Sequence, residues 1–122
     1  MKFAKWVFRL AGIWGILILL PFYFLENQIG IQTPPAITHL EYFYGFIGVA
    51  LSFQLLFLII ATDPKKYRLA MIPGICEKLS FFTALVVLYS QNRLYTQTFA
   101  AGSVDLLWSI LFAISFYKTK EK

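Results

Sequence analysis

The chain has 122 residues, a hydrophobic fraction of 59%, a charged fraction of 14% and a formal net charge of +5. Soluble domains average roughly 45–50% apolar and about 25% charged residues, and a short chain buries too little of its own surface to hide such an excess. Composition thus excludes an ordinary soluble enzyme. Because the positive residues fall in short clusters between apolar runs, it also excludes a nucleic-acid binder with a solvated basic face and points to a single transmembrane domain over residues 1–122.

A spanning helix needs about 20 mainly apolar residues, since the hydrocarbon core is about 30 Å thick. The first such run covers about 6–24. Lys2, Lys5 and Arg9 precede it as in a signal peptide, but bulky Pro21-Phe22-Tyr23-Phe24-Leu25 follows where small residues are needed for cleavage. It reads as an uncleaved anchor. Glu26 to Leu40 reads as a loop, with Thr33 capping a helix that starts at Pro34 and enters the membrane near Glu41. The second span covers about 41–61.

The third run is interrupted by Glu77 and Lys78. Leu79 to Tyr89 alone would reach only about 16 Å, so the span must begin near Leu69 and cover about 69–90, with both charges inside the membrane. Pro73 then falls in its first turns, where a missing N–H does least harm, and Pro73-Gly74 is expected to bend that end. The fourth span covers about 97–117. The expected fold is an all-α, integral membrane, antiparallel four-helix bundle.

Positive residues flanking membrane helices stay in the cytoplasm. Lys2, Lys5 and Arg9, then Lys65, Lys66 and Arg68, then Lys118, Lys120 and Lys122 all fall on one side of a four-pass topology, against Arg93 on the other. Both termini are therefore expected in the cytoplasm. Tyr23, Tyr42, Tyr44, Tyr89 and Tyr95 belong to the outer ends and Trp6, Tyr67 and Tyr117 to the inner ends, as interfacial aromatics do. A bacterial inner membrane is the expected location; the terminal Lys118-Thr119-Lys120-Glu121-Lys122 can also be read as a eukaryotic dilysine signal.

The polar residues within the spans carry whatever chemistry the chain has. Ionisable groups at membrane depth cost about 2.5–3.5 kcal/mol each on insertion scales and turn toward protein partners. Spacing by three and four places Pro73, Glu77, Ser80 and Ala84 on one face, Ala101, Asp105, Ser109 and Ala113 on another, and Glu41, Gly45, Gly48 and Ser52 on a third. Ala11 and Gly15 give the first helix a similar face. Small residues let helices approach closely in lipid, so these four stripes are expected to meet inside the bundle, with Glu77 and Asp105 pointing inward. Lys78 is long enough to reach one of them. Gln54 lies about half a turn from the Gly45/Gly48 stripe and is expected to make an interhelical hydrogen bond or to face a partner chain. Cys76 is expected to be a buried, small, apolar side chain. His39 is expected to be an interfacial residue, and Trp14 and Trp108 to pack at mid-depth.

Much chemistry is excluded. A bis-histidine haem needs two intramembrane histidines, and quinone-linked disulfide exchange needs paired cysteines; the chain has one of each residue. Phosphate-binding glycine loops, zinc-protease helices and nucleophile elbows are missing. No cofactor, metal or nucleic acid is expected. Small four-helix drug exporters are similar in size but use a glutamate in their first helix, where this chain has no carboxylate.

At Glu41-Tyr42-Phe43-Tyr44-Gly45-Phe46-Ile47-Gly48, at Asp63-Pro64 with Tyr67-Arg68, at Glu77-Lys78-Leu79 and at Asp105-Leu106-Leu107 the chain resembles small bacterial four-helix membrane proteins, broadly similar to the DoxX-like group. The resemblance covers roughly residues 41–117. Some members of that group are associated with membrane oxidoreductase complexes, so it implies such a partner as one candidate and carries over no catalytic residue.

Two functions follow as expectations. The first is a non-enzymatic accessory or structural subunit of a membrane complex or a homo-oligomer, in which Lys78 neutralises Glu77 or Asp105. The second is a binder, carrier or isomerase for a small lipophilic molecule or cation, with Glu77, Lys78, Asp105, Ser109, Ser80, Gln54 and Glu41 as the candidate pocket. A tightly packed interior with Lys78 bridging the carboxylates favours the first.

Overall fold

The computed structural model describes residues 2–120, and every regular element among them is helical. The helices are α1 (Lys2–Leu19), α2 (Glu26–Gln32), α3 (Leu40–Thr62), α4 (Met71–Ser90), α5 (Thr96–Gly102) and α6 (Val104–Lys118), with 3-10 turns at Leu20–Phe24 and Arg68–Ala70. Counted with their adjoining turns, four helices are long and apolar enough to cross a membrane: Lys2–Phe24, Leu40–Thr62, Arg68–Ser90 and Thr96–Lys118. Lys122 and Glu121 of the expected basic tail lie outside the described residues.

Side-chain registers fix the topology. Phe8 of α1 meets Phe57 of α3 and stacks on Phe112 of α6 at 4.2 Å. Tyr23, just beyond α1, lies parallel to Tyr44 near the start of α3. Arg68, ahead of α4, donates from Nε to the carbonyl of Phe116 near the end of α6, at 2.9 Å. Tyr89 at the end of α4 meets Thr96 at the start of α5. Successive long helices therefore run antiparallel, and the described members of the three basic clusters gather at one end of the bundle. Arg93 lies at the other.

Two helix pairs build the bundle, α1 on α3 and α4 on α6. At Gly15 a Cβ would collide with the side-chain amide of Gln54, which fills the space beside the glycine where α1 and α3 cross closely. The two pairs are joined at the basic end by a core of Ala4, Val7, Phe8, Ala11, Phe57, Ile60, Ala61, Met71 and Phe112. Phe57 adds an edge-on contact to Phe112 at 4.9 Å, so three rings interlock where α1, α3 and α6 converge. Dispersion between closely packed atoms holds such a centre together.

Three local features differ from expectation. Glu26–Gln32 is a helix rather than a loop, and Thr33 closes it: its hydroxyl donates to the Ile29 carbonyl at 2.9 Å. No helix starts at Pro34, because a residue followed by proline is steered away from helical geometry and Pro35 follows directly. The second span begins instead at Leu40, after His39 in the left-handed region.

The fourth span, third, is broken. Ser103 separates α5 from α6, with its hydroxyl donating back to the Phe99 carbonyl at 2.7 Å. Such back-bonding by serine bends helices, and the break puts Asp105 in the first turn of α6, where the helix dipole favours negative charge.

The small-residue stripes do not meet inside. Pro73, Ser80, Ala84, Ala101, Ala113, Glu41, Gly45 and Ser52 are all exposed. The inward faces are Met71, Gly74, Lys78 and Leu85 on α4, Ser109, Phe112 and Ser115 on α6, and Ile47, Ala50, Gln54, Phe57 and Ile60 on α3. Gln54 thus faces the interior rather than a partner. Only the stripe on α1 holds, with Ala11 and Gly15 both buried. Large interlocking side chains fill this interior, which leaves much of the small-residue surface outside. Cys76 is exposed, not buried, and Trp14 faces outward.

Candidate functional site

Lys78 occupies the inward face of α4, one turn beyond Gly74, and only 5% of its side chain is exposed. Its ammonium lies 3.5 Å from Asp105 Oδ1 on α6 and 3.7 Å from Oε2 of its neighbour Glu77. The same Nζ sits 5.4 Å from the centre of the Phe57 ring on α3, within cation–π range. The lysine therefore reaches three elements of the bundle: its own helix, α6 and α3. Both carboxylates are mostly buried, at 17% and 19% side-chain exposure. Their positions, ten residues into Arg68–Ser90 and ten into Thr96–Lys118, bring them to one level near the middle of the antiparallel pair.

The sequence predicts that Glu77 and Asp105 point inward and that Lys78 reaches one of them. Both carboxylates are mostly buried, but Lys78 is buried more deeply than either and approaches both. Lys78 is the core side chain, and Glu77 flanks it toward the α3 side. Neither ion pair is short, since charged N–H···O bonds usually span about 2.7–2.9 Å, and Glu77 Oε2 is buried without a hydrogen-bond partner. With all three groups ionised, two carboxylates face one ammonium and the cluster keeps one surplus negative charge.

The other predicted site residues do not join the triad. Ser109 is buried and its hydroxyl is engaged by the Leu106 carbonyl at 2.7 Å. Ser80 is exposed and donates to the backbone carbonyl of Glu77 at 3.0 Å. Gln54 makes no interhelical hydrogen bond: its Nε2 donates to Ala50 of its own helix at 2.8 Å, and its buried Oε1 has no partner. Glu41 lies exposed at the far end of α3, 3.6 Å from His39 Nδ1, well removed from Glu77 and Asp105.

Beside the triad, α3 and α4 touch over a narrow strip and leave a lateral cleft of about 550 Å3. Phe46, Val49 and Phe53 line it from α3, with Phe81, Cys76 and Glu77 on α4. Phe46 and Phe81 lie nearly parallel, 5.7 Å apart. Neither the cleft nor the Phe57 platform beneath Lys78 emerges from the sequence stripes. Ala50, Gln54, Phe57 and Ala61 share one face by spacing, so taking Gln54 as the inward marker of α3 would have found Phe57.

The arrangement can hold charge at mid-bundle and offer one carboxylate to a greasy cleft. It contains no nucleophile–base pair. Comparisons with protein-family models, with curated proteins and with solved structures find no match to this chain.

Proposed function

We propose that this chain is a multi-pass bacterial inner-membrane protein with both termini in the cytoplasm, acting as an accessory or structural subunit of a membrane complex. The observation that carries this reading is Lys78 held between Asp105 and Glu77 on the inward face of α4. An ion pair buried in this way ties α4 to α6, and removing one partner leaves an uncompensated charge. The gathering of basic residues at one end of the bundle supports the cytoplasmic placement of both termini. A broadly DoxX-like relationship is compatible with the four-helix layout and rests on the sequence motifs alone.

The subunit role draws on α3. Gly45 faces outward with nothing within 4 Å of the position a Cβ would take, and exposed Glu41 and Ser52 lie along the same face. An outward face with small residues suits close approach by a helix from another chain. The test is purification in mild detergent followed by intact-complex mass spectrometry. The proposal expects a defined larger assembly. A monodisperse single chain that turns over an added substrate contradicts it.

A further inference from the structure

With all three groups ionised, the triad carries one negative charge more than it neutralises, and Glu77 borders the cleft between α3 and α4. Its Oε2 is buried, lies 3.7 Å from the Lys78 ammonium and accepts no hydrogen bond. A carboxylate oxygen in that setting lacks a close donor in a region where an unmatched charge is costly. The cleft that Glu77 borders is walled by Phe46, Val49, Phe53 and Phe81 and has room for an alkyl chain.

We propose that this cleft is a binding site for a single-chain lipophilic ammonium, with the ammonium on Glu77 and the alkyl tail along the aromatic walls. Charge complementarity selects this occupant. A neutral lipid tail would satisfy the walls and leave the oxygen unmatched. A second copy of the chain is the competing occupant, and cross-linking through Cys76 separates it from the ammonium. An added ammonium at the Glu77 carboxylate supplies the missing positive charge. Glu77 binds the ligand, while Asp105 keeps Lys78 in place behind it.

Cys76 is the only cysteine, is exposed and lines the cleft, which provides a built-in reporter. The full chain in nanodiscs is labelled with N-ethylmaleimide in the presence of dodecylamine, protonated at neutral pH, or of dodecanol, its uncharged counterpart. Dodecylamine is expected to slow labelling about tenfold at a concentration where dodecanol has little effect, as befits a charge-assisted hydrogen bond. Glu77→Gln should remove the difference between the two compounds. Val49→Trp, at an exposed position that leaves all three charges in place, should remove it by filling the cleft, and it decides the matter if Glu77→Gln folds poorly. Equal protection by amine and alcohol overturns the proposal, as does amine selectivity that survives either substitution. A Cys76–Cys76 cross-linked dimer whose formation ignores dodecylamine also overturns it and gives the cleft to a second copy.

Discussion

The two ends of this bundle are built differently although their helices are comparably apolar. At the basic end α1, α3 and α6 close around Phe8, Phe57 and Phe112, all fully buried, and Arg68 and Lys118 cover Phe116 and Phe3 at 3.7 and 4.6 Å. At the opposite end Phe24 is 84% exposed, and the elements meet through polar tips: Tyr44 donates to Glu26 at 2.7 Å and Tyr95 to the Pro34 carbonyl at 2.8 Å. The charged triad and the lateral cleft lie between the two regimes. Apolar content does not distinguish the ends; steric fit does. This is the expected outcome where lipid competes on equal terms for every apolar surface.

Substitutions can break that contrast. Phe112→Ala opens a cavity beneath two other rings and should cost about 3–5 kcal/mol, whereas Phe24→Ala at the open end should fall within about 0.5 kcal/mol of the parent. Unfolding in mixed dodecylmaltoside and dodecyl sulfate micelles measures both; equal losses would remove the distinction. Lys78→Met leaves two carboxylates in the interior with no base and should cost about 3–5 kcal/mol, seen as a collapse in the monodisperse fraction on size exclusion.

Smaller effects sharpen the comparison along α1 and α3. Gly15→Ala drives a methyl into the Gln54 amide and should cost about 1–3 kcal/mol as an overpacked position. Adding Gln54→Ala should recover most of that loss, because the two side chains share one space. Gly45→Ala, facing open surroundings on the same helix, should change the midpoint of thermal unfolding very little. A large loss there would mean that the outward face of α3 is covered within the isolated chain.

The spans were legible in the sequence because bilayer thickness sets a length that hydropathy alone can count. The four predicted runs fall within Lys2–Phe24, Leu40–Thr62, Arg68–Ser90 and Thr96–Lys118. Glu77 and Lys78 lie inside one helix of spanning length, Arg68–Ser90, as the reach argument required. The faces were far less legible. In water the apolar stripe of a helix identifies its buried side, but a helix that is apolar all round offers no such stripe. Small-residue spacing was the substitute cue, and it succeeded at Ala11 and Gly15, where Gln54 packs, and failed at Gly45, where nothing does. The triad was legible as a set of residues and not as a geometry. Which of two adjacent residues, Glu77 or Lys78, turns inward depends on the rotation of α4, and that is set by Gly74 packing against Phe57 and by Met71 in the core. The break at Ser103 was hidden because serine tolerates a helix interior as readily as it bends one.

On the proposed reading, Lys78 is a structural cation whose purpose is set by the two acids around it. Folded yield from the membrane, compared between Lys78→Met alone and Lys78→Met combined with Glu77→Gln and Asp105→Asn, tests it most directly. The structure predicts that the single substitution collapses the yield and that neutralising both acids restores it toward the parent. A single substitution that folds as well as the parent, or a neutralised chain that folds no better than the single one, would contradict it.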